Sequence, residues 1–415
     1  MATDRMYSLA FRFRDAKLWE ILNDTEMFAV RLPGDEIGYC CVMGNIESHF
    51  ALAVYVGTEG YQSYRVMFDA ETDRVDTMMI CSMMAVQSCL QCSFESKEYI
   101  TDEECAEVRK YAKARKKPLR GKTAYPVFKK HVPGRIPWRM ESAEDEERIC
   151  ESLLAGIELS RMLSEHSKEE IGLQSLQQDS EAIPMLVREG DVWSVQTTQL
   201  PPAKIQYAEV EFADQPLSAR LKKKEKKGAW ECAACWMMSP IQEDETGKKA
   251  PYYPLALMAV DLETGRVIQP VITDGEDPSA MVHQFAERIQ ESESVPETLQ
   301  CGDDRSFAML RDLCEKTGIC IEKTDKPERL EDAFRSLMDH MNGLDDDSDD
   351  GNDDPDDEEF DVSESIEELV NGLSLMTDAQ LKTAPPEVRE FLLALADMNM
   401  LPNTIEKRIR KVFRK

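Results

Sequence analysis

Four acidic residues have the types and positions a metal centre would need. Asp261 closes an apolar run over 255–260. Asp303 and Asp304 follow a short run that ends at Cys301-Gly302, and Glu331 lies in a helical stretch over 330–341. Carboxylates at strand ends that converge across a sheet hold Mg²⁺ through their oxygens. Two such ions activate water and stabilise the leaving oxygen in phosphodiester cleavage. On a helical wheel Leu330, Phe334, Leu337 and Met341 share a face. Asp332 lies about 200° from Leu330 and faces water, while Glu331 flanks the apolar face. The competing reading needs no metal: Asp261 opens a turn, and Asp303 or Asp304 caps a helix.

Other chemistry is weakly signalled. Cys89/Cys92 and Cys232/Cys235 are Cys-x-x-Cys pairs, but more than a hundred residues separate them. Both lie in apolar runs, where cysteine is a small buried hydrophobe. Asp346, Ser348, Asp350, Gly351, Asn352, Asp354 and Asp357 come close to a calcium loop, but Asp353 replaces an apolar residue and Pro355 would disturb the exiting helix. Polyacid is the better description. The five histidines (His49, His131, His166, His283 and His340) show no metal-ligand spacing, and no phosphate-binding or dinucleotide glycine motif occurs. We therefore expect no cofactor, with Mg²⁺ entering only if the chain is a nuclease.

Charge bears on partners. The chain of 415 residues has a net charge of −30, which disfavours nucleic acid despite basic runs at 109–122, 220–227 and 407–415. Twelve of the seventeen residues from Asp345 to Asp361 are acidic, a composition for a solvated linker. Met1-Ala2-Thr3-Asp4-Arg5 leads straight into an amphipathic segment, no run approaches the roughly 20 apolar residues of a membrane span, and twelve cysteines with no disulfide pattern fit a reducing cytoplasm.

Several elements must position these residues. Helices are expected over 15–22, 60–68, 78–92, 101–114 (behind a Thr101–Glu104 capping box) and 142–163. Strands are expected over 27–32, 37–43 and 50–56, with a Pro- and aromatic-rich extended segment over 125–138. A second domain is expected to start near 182, with strands over 205–212, 230–238, 255–261 and 267–273. Pro270 makes the last an edge strand or a bulge. Helices at 279–291, 305–316 and 330–341 follow. The domains expected are thus 1–168, a linker over 169–181, 182–342, an acidic linker over 343–361 and a helical tail over 362–415. The fold class is α+β, with antiparallel sheets, and the tail is expected to recruit a protein partner.

Two resemblances follow from these residues. The blocks Tyr39-Cys40-Cys41-Val42-Met43-Gly44, Pro133-Gly134-Arg135-Ile136-Pro137-Trp138, Pro251-Tyr252-Tyr253-Pro254 and Val260-Asp261-Leu262-Glu263-Thr264-Gly265 resemble a family of uncharacterised bacterial proteins that pair two domains of unknown function. That likeness implies an architecture and no activity. The order of elements after 255, with Asp303-Asp304-Arg305-Ser306-Phe307 and the helix behind it, resembles the ribonuclease H-like fold of nucleases and integrases. This second likeness implies Asp261, Asp303 or Asp304, and Glu331 as metal ligands. It departs from the family's pattern, which puts the first acid on the first strand. The expected function is a non-enzymatic binding or regulatory protein, with a divergent metal-dependent nuclease as the alternative.

Overall fold

The computed structural model describes residues 2–45, 49–69, 76–242, 250–341, 409–411 and 413. The expected acidic linker, the calcium-like loop and nearly all of the helical tail lie outside the described residues. The chain divides into two compact units, Met1–Asp345 and Asp346–Lys415, and the first holds two sheets.

The first sheet is built from α1 (Asp4–Ala16), β1 (Phe28–Arg31), β2 (Ile37–Met43), β3 (Ala51–Val56), α2 (Gly57–Phe68), α3 (Thr77–Ala85), β4 (Cys89–Glu95), α4 (Asp102–Arg115), β5 (Tyr125–His131), β6 (Trp138–Arg139), α5 (Ala143–Leu163), α6 (Lys168–Ile171), β7 (Ala182–Glu189) and β8 (Val192–Gln199). Its strand order is β6-β5-β4-β3-β2-β1-β7-β8. Helix α1 starts where the Thr3 side chain accepts from Met6 N, and it buries Leu9, Phe11 and Phe13. It packs on α5 at Gly156, where an added Cβ would stand 2.5 Å from Phe13 Cε2. Tyr61 and Tyr64 of α2 cover the opposite face.

The second sheet follows α7 (Gln215–Lys223). It comprises β9 (Ala229–Trp236), β10 (Leu255–Asp261), β11 (Val267–Thr273), α8 (Pro278–Glu291), β12 (Thr298–Cys301), α9 (Asp304–Thr317), β13 (Cys320–Lys323) and α10 (Glu328–Met341). The order is β11-β10-β9-β12-β13. Strand β10 runs antiparallel to both β9 and β11, while β12 runs parallel to β9 and to β13. Strand β10 is buried throughout except at Asp261, as a central strand covered on both faces must be. Pro270 lies on the edge strand, as expected, opposite a register shift in β10.

Several expectations need correction. The class is α+β, but both sheets are mixed: β7 joins β1 in parallel through Ala29↔Met185 and Val30↔Leu186. The hairpin β7–β8 therefore completes the first sheet and does not open the second domain at 182. The helix expected over 78–92 stops at Ala85. Leu90, Cys92 and Phe94 then face one core and Cys89 another, the two-residue period of a strand. The 205–212 segment forms no strand. It is an extended tether whose Val210 and Phe212 enter the second core.

The least expected feature is the place of α3. Its Met78, Cys81 and Ala85 belong to the core of the second sheet, beside β9 and α10. No described helix is long and apolar enough to cross a membrane.

Candidate functional site

The structure separates the candidate acids and gives each a structural partner. Asp261 ends β10 opposite Trp230, near the start of β9. Its Oδ1 accepts from Glu263 N at 2.9 Å and Thr264 N at 3.0 Å, and its Oδ2 accepts from Trp230 Nε1 at 3.2 Å. Partial burial pushes this carboxyl up, but these donors outweigh it and hold it below the ordinary range. It organises the β10–β11 turn.

Asp303 lies at the other end of the sheet. Because β10 runs against β9 and β12 runs with it, the ends of β10 and β12 point apart. Asp303 Oδ2 accepts from Ala234 N at 3.2 Å, four residues along β9 from Trp230, on the order of 13 Å of strand. The β9–β12 ladder stops at Cys232↔Cys301, so Ala234 N has no strand partner on that side. Asp303 and Ser306 supply one: Ser306 Oγ accepts from Ala234 N at 2.6 Å and donates to Asp303 Oδ2. Asp303 Oδ1 caps α9 through Ser306 N at 2.8 Å. Its neighbour Asp304 is half exposed and pairs with Lys323.

Glu331 is buried, whereas Asp332 is exposed as the wheel indicates. Its carboxylate reaches α3, accepting from Thr77 N at 2.9 Å and Met78 N at 3.3 Å. Asp76 caps the same helix through Met79 N at 2.7 Å. The two acids thus satisfy the first free N–H groups of α3. A buried acid that sequence reasoning passed over, Glu231 of β9, does the same for α10, accepting from Leu330 N at 2.9 Å. A charged residue inside an apolar strand run was the available signal. Among the described residues no three His, Cys, Asp or Glu side chains are grouped to hold a metal.

Burial pushes the carboxyls of Asp76, Glu231 and Glu331 up, and Asp76 and Glu331 also repel one another. A carboxyl whose folded value exceeds its unfolded value favours folding when protonated. Its contribution is complete below the unfolded value and is lost as pH rises through the folded one. The contribution of these carboxyls to the melting temperature is therefore expected to grow as pH falls through their raised folded values, with a flatter slope in Glu331→Gln. A parallel slope in the variant would refute the assignment.

The two Cys-x-x-Cys pairs lie in different sheets, Cys89 and Cys92 on β4 and Cys232 and Cys235 on β9. All four thiols are buried. Burial pushes Cys89 up to about 12 and raises Cys92 and Cys235 well above their ordinary value. Cys232 is raised first by its contact with Cys301, 3.5 Å away, and then by burial. Protonated thiols are poor ligands.

A different site lies at the carboxyl ends of β9 and β12, where open α/β sheets place ligands. A cavity of about 370 Å³ opens between Pro133, Gly134, Tyr207, Trp236, Met281 and Arg305. A neighbouring recess of about 500 Å³ shares Pro133, Tyr207 and Arg305. The Arg305 guanidinium carbon lies 5.2 Å from the Tyr207 ring centre and 5.0 Å from that of Trp236. Trp236 is 6% exposed, and among the described residues its buried Nε1 has no hydrogen-bond partner.

Gly134 makes this junction possible. Its φ is +73°, and a Cβ there would stand 2.6 Å from Trp236 Cη2. Its N–H donates to Ala85 O at 2.7 Å, and its carbonyl accepts from Tyr253 N at 2.8 Å. Arg135 Nη2 pairs with Glu276 at 2.6 Å.

Comparison with known families accounts for both halves. Residues 4–180 match the family described as Domain of unknown function (DUF7309), and residues 217–338 match Domain of unknown function (DUF6930). The chain pairs two domains of unknown function. No curated protein and no solved structure matches it. The DUF7309 region ends just before β7, and it contributes α3 to the core of the DUF6930 sheet. The cavity draws Gly134 from the DUF7309 region, Trp236 and Arg305 from the DUF6930 region, and Tyr207 from the segment between them.

Proposed function

We propose that this chain is a non-enzymatic binding or regulatory protein of the cytoplasm, and that it binds at the junction of its two sheets. One observation carries the reading. The candidate acids are occupied by backbone N–H groups or a surface lysine, whereas two donors on the cavity lining, the Arg305 guanidinium and Trp236 Nε1, have no hydrogen-bond or ion-pair partner among the described residues. Twelve free cysteines, all but Cys320 buried, support a reducing compartment. Recruitment of a protein partner by 362–415 is part of the proposal. A chain ending at Asp345 is expected to keep the full chain's small-ligand affinity, since every cavity residue precedes that point; calorimetric titration of both would show it.

The nuclease alternative has one observation in its favour. It rests on the resemblance expected from the order of elements after 255, and the first strand of the second sheet, β9, carries an acid, Glu231. Yet Glu231 caps α10, Glu331 caps α3 and Asp303 caps α9. Incubating the protein with single- and double-stranded DNA and RNA in millimolar Mn²⁺ is expected to leave the strands intact. Cleavage that disappears in Asp303→Asn and in Glu331→Gln would establish the nuclease.

A further inference from the structure

We propose that the cavity at Gly134, Tyr207, Trp236 and Arg305 is a binding site for a small-molecule monocarboxylate with an apolar body. The inference rests on the binding-protein reading and deepens it. Its size, about 370 Å³, falls at the low end of small-molecule pockets, which span roughly 300–1,000 Å³.

The charge is argued from Arg305. The two rings near the Arg305 guanidinium take no hydrogen bond from it, which leaves its N–H groups as available donors, in the fork geometry that meets a carboxylate or phosphate in two parallel bonds. Among the described residues Arg305 makes neither an ion pair nor a hydrogen bond; its recorded contacts are the Tyr207 and Trp236 rings. The other arginine on the lining, Arg135, is neutralised by Glu276. Arg305 is therefore the cation left for a ligand.

The second donor is Trp236 Nε1. A buried N–H without a partner forfeits its hydration with no return, and here it belongs to a ring that lines the cavity. A ligand oxygen would end that deficit.

The lining also selects among anions. Asp274 also belongs to the lining, accepting from Glu276 N at 3.0 Å. A lining with one free guanidinium and a carboxylate suits a singly charged head, because the carboxylate repels a doubly charged phosphate more strongly than a monoanion. Val210, Leu255, Met281 and Met309 offer apolar surface for the rest of the molecule, whose burial supplies most of the affinity.

The test titrates phenylacetate and hexanoate into the full chain by calorimetry, with phenethylamine and inorganic phosphate as counterparts. At least one acid is expected to saturate and to raise the melting temperature, while the amine and phosphate do neither. Arg305→Met should weaken the acid roughly tenfold or more, the size of a lost charge-assisted pair. It should scarcely change the unliganded melting temperature, because no ion pair is broken. Trp236→Phe keeps the ring, removes the donor and should weaken binding several-fold, and it decides the matter if Arg305→Met does not fold. Saturation by phenethylamine, or unchanged acid affinity in both variants, would overturn the site. Saturation by phosphate in place of the acids would overturn the ligand class and leave the binding reading intact. If no probe saturates and no strand is cleaved, the cavity assignment fails while the non-enzymatic reading stands.

Discussion

Asp303→Ala is expected to lower stability by about 2–3 kcal/mol, from the lost cap and the unpaired N–H groups it leaves. Its carboxylate joins three donors, Ser306 N, Ser306 Oγ and Ala234 N, and so ties the start of α9 to the strand where the β9–β12 ladder ends. Asparagine keeps one oxygen acceptor, so Asp303→Asn should cost well under half as much. Denaturant unfolding of the three proteins checks the order. A metal ligand predicts the opposite pattern. Removing a charge from a crowded acidic site stabilises the empty protein, and asparagine would be no better than alanine for metal affinity. Equal or greater stability in Asp303→Ala would therefore contradict the capping role.

Gly134→Ala is expected to cost about 2–4 kcal/mol, the sum of a left-handed backbone penalty and an overpacked contact. The φ of +73° disfavours any Cβ, and the space is already filled by the Trp236 ring at 2.6 Å. Backbone bonds to Ala85 and Tyr253 hold both sides of Gly134, so the loop cannot swing aside without opening the seam. The ring must move instead, and Trp236 carries the cavity's unpartnered donor. Thermal unfolding should show the destabilisation. Calorimetry on the folded fraction should show weakened acid binding. A variant with unchanged melting temperature would mean that the close approach of Gly134 and Trp236 does not exist in solution.

The elements that position the site were largely legible, because their signals are local. The Thr101–Glu104 capping box forms as expected, strands β2, β10 and β11 fall on their expected bounds, and Pro270 sits at an edge. The two-domain pairing was legible from short blocks of residues. What escaped depends on long-range placement. Nothing local in Met78, Cys81 and Ala85 says that α3 packs on a sheet formed some 150 residues later. Strand β7 reads as the start of something new because its parallel partner, β1, lies far back in the chain. The acids illustrate the same limit: residue type and strand-end position made Asp261 and Asp303 look convergent, whereas the opposed directions of β10 and β12 put them at opposite ends of the sheet. The cavity was invisible because Gly134, Tyr207, Trp236 and Arg305 share no spacing. Gly134 and Arg305 each stood inside a block singled out, but Gly134 was read only for the family resemblance of 133–138, and Arg305 was read beside Asp303 and Asp304 as part of an acidic turn.

The most direct test of the account is the melting temperature of the full chain with and without millimolar Mn²⁺, run beside Asp303→Asn and Glu331→Gln. Carboxylates occupied by helix N–H groups and backbone amides have no free geometry for a cation, so the metal should leave all three melting temperatures unmoved. A saturable rise in the unmodified protein that both substitutions abolish would show a metal centre built from these acids, and would contradict the account.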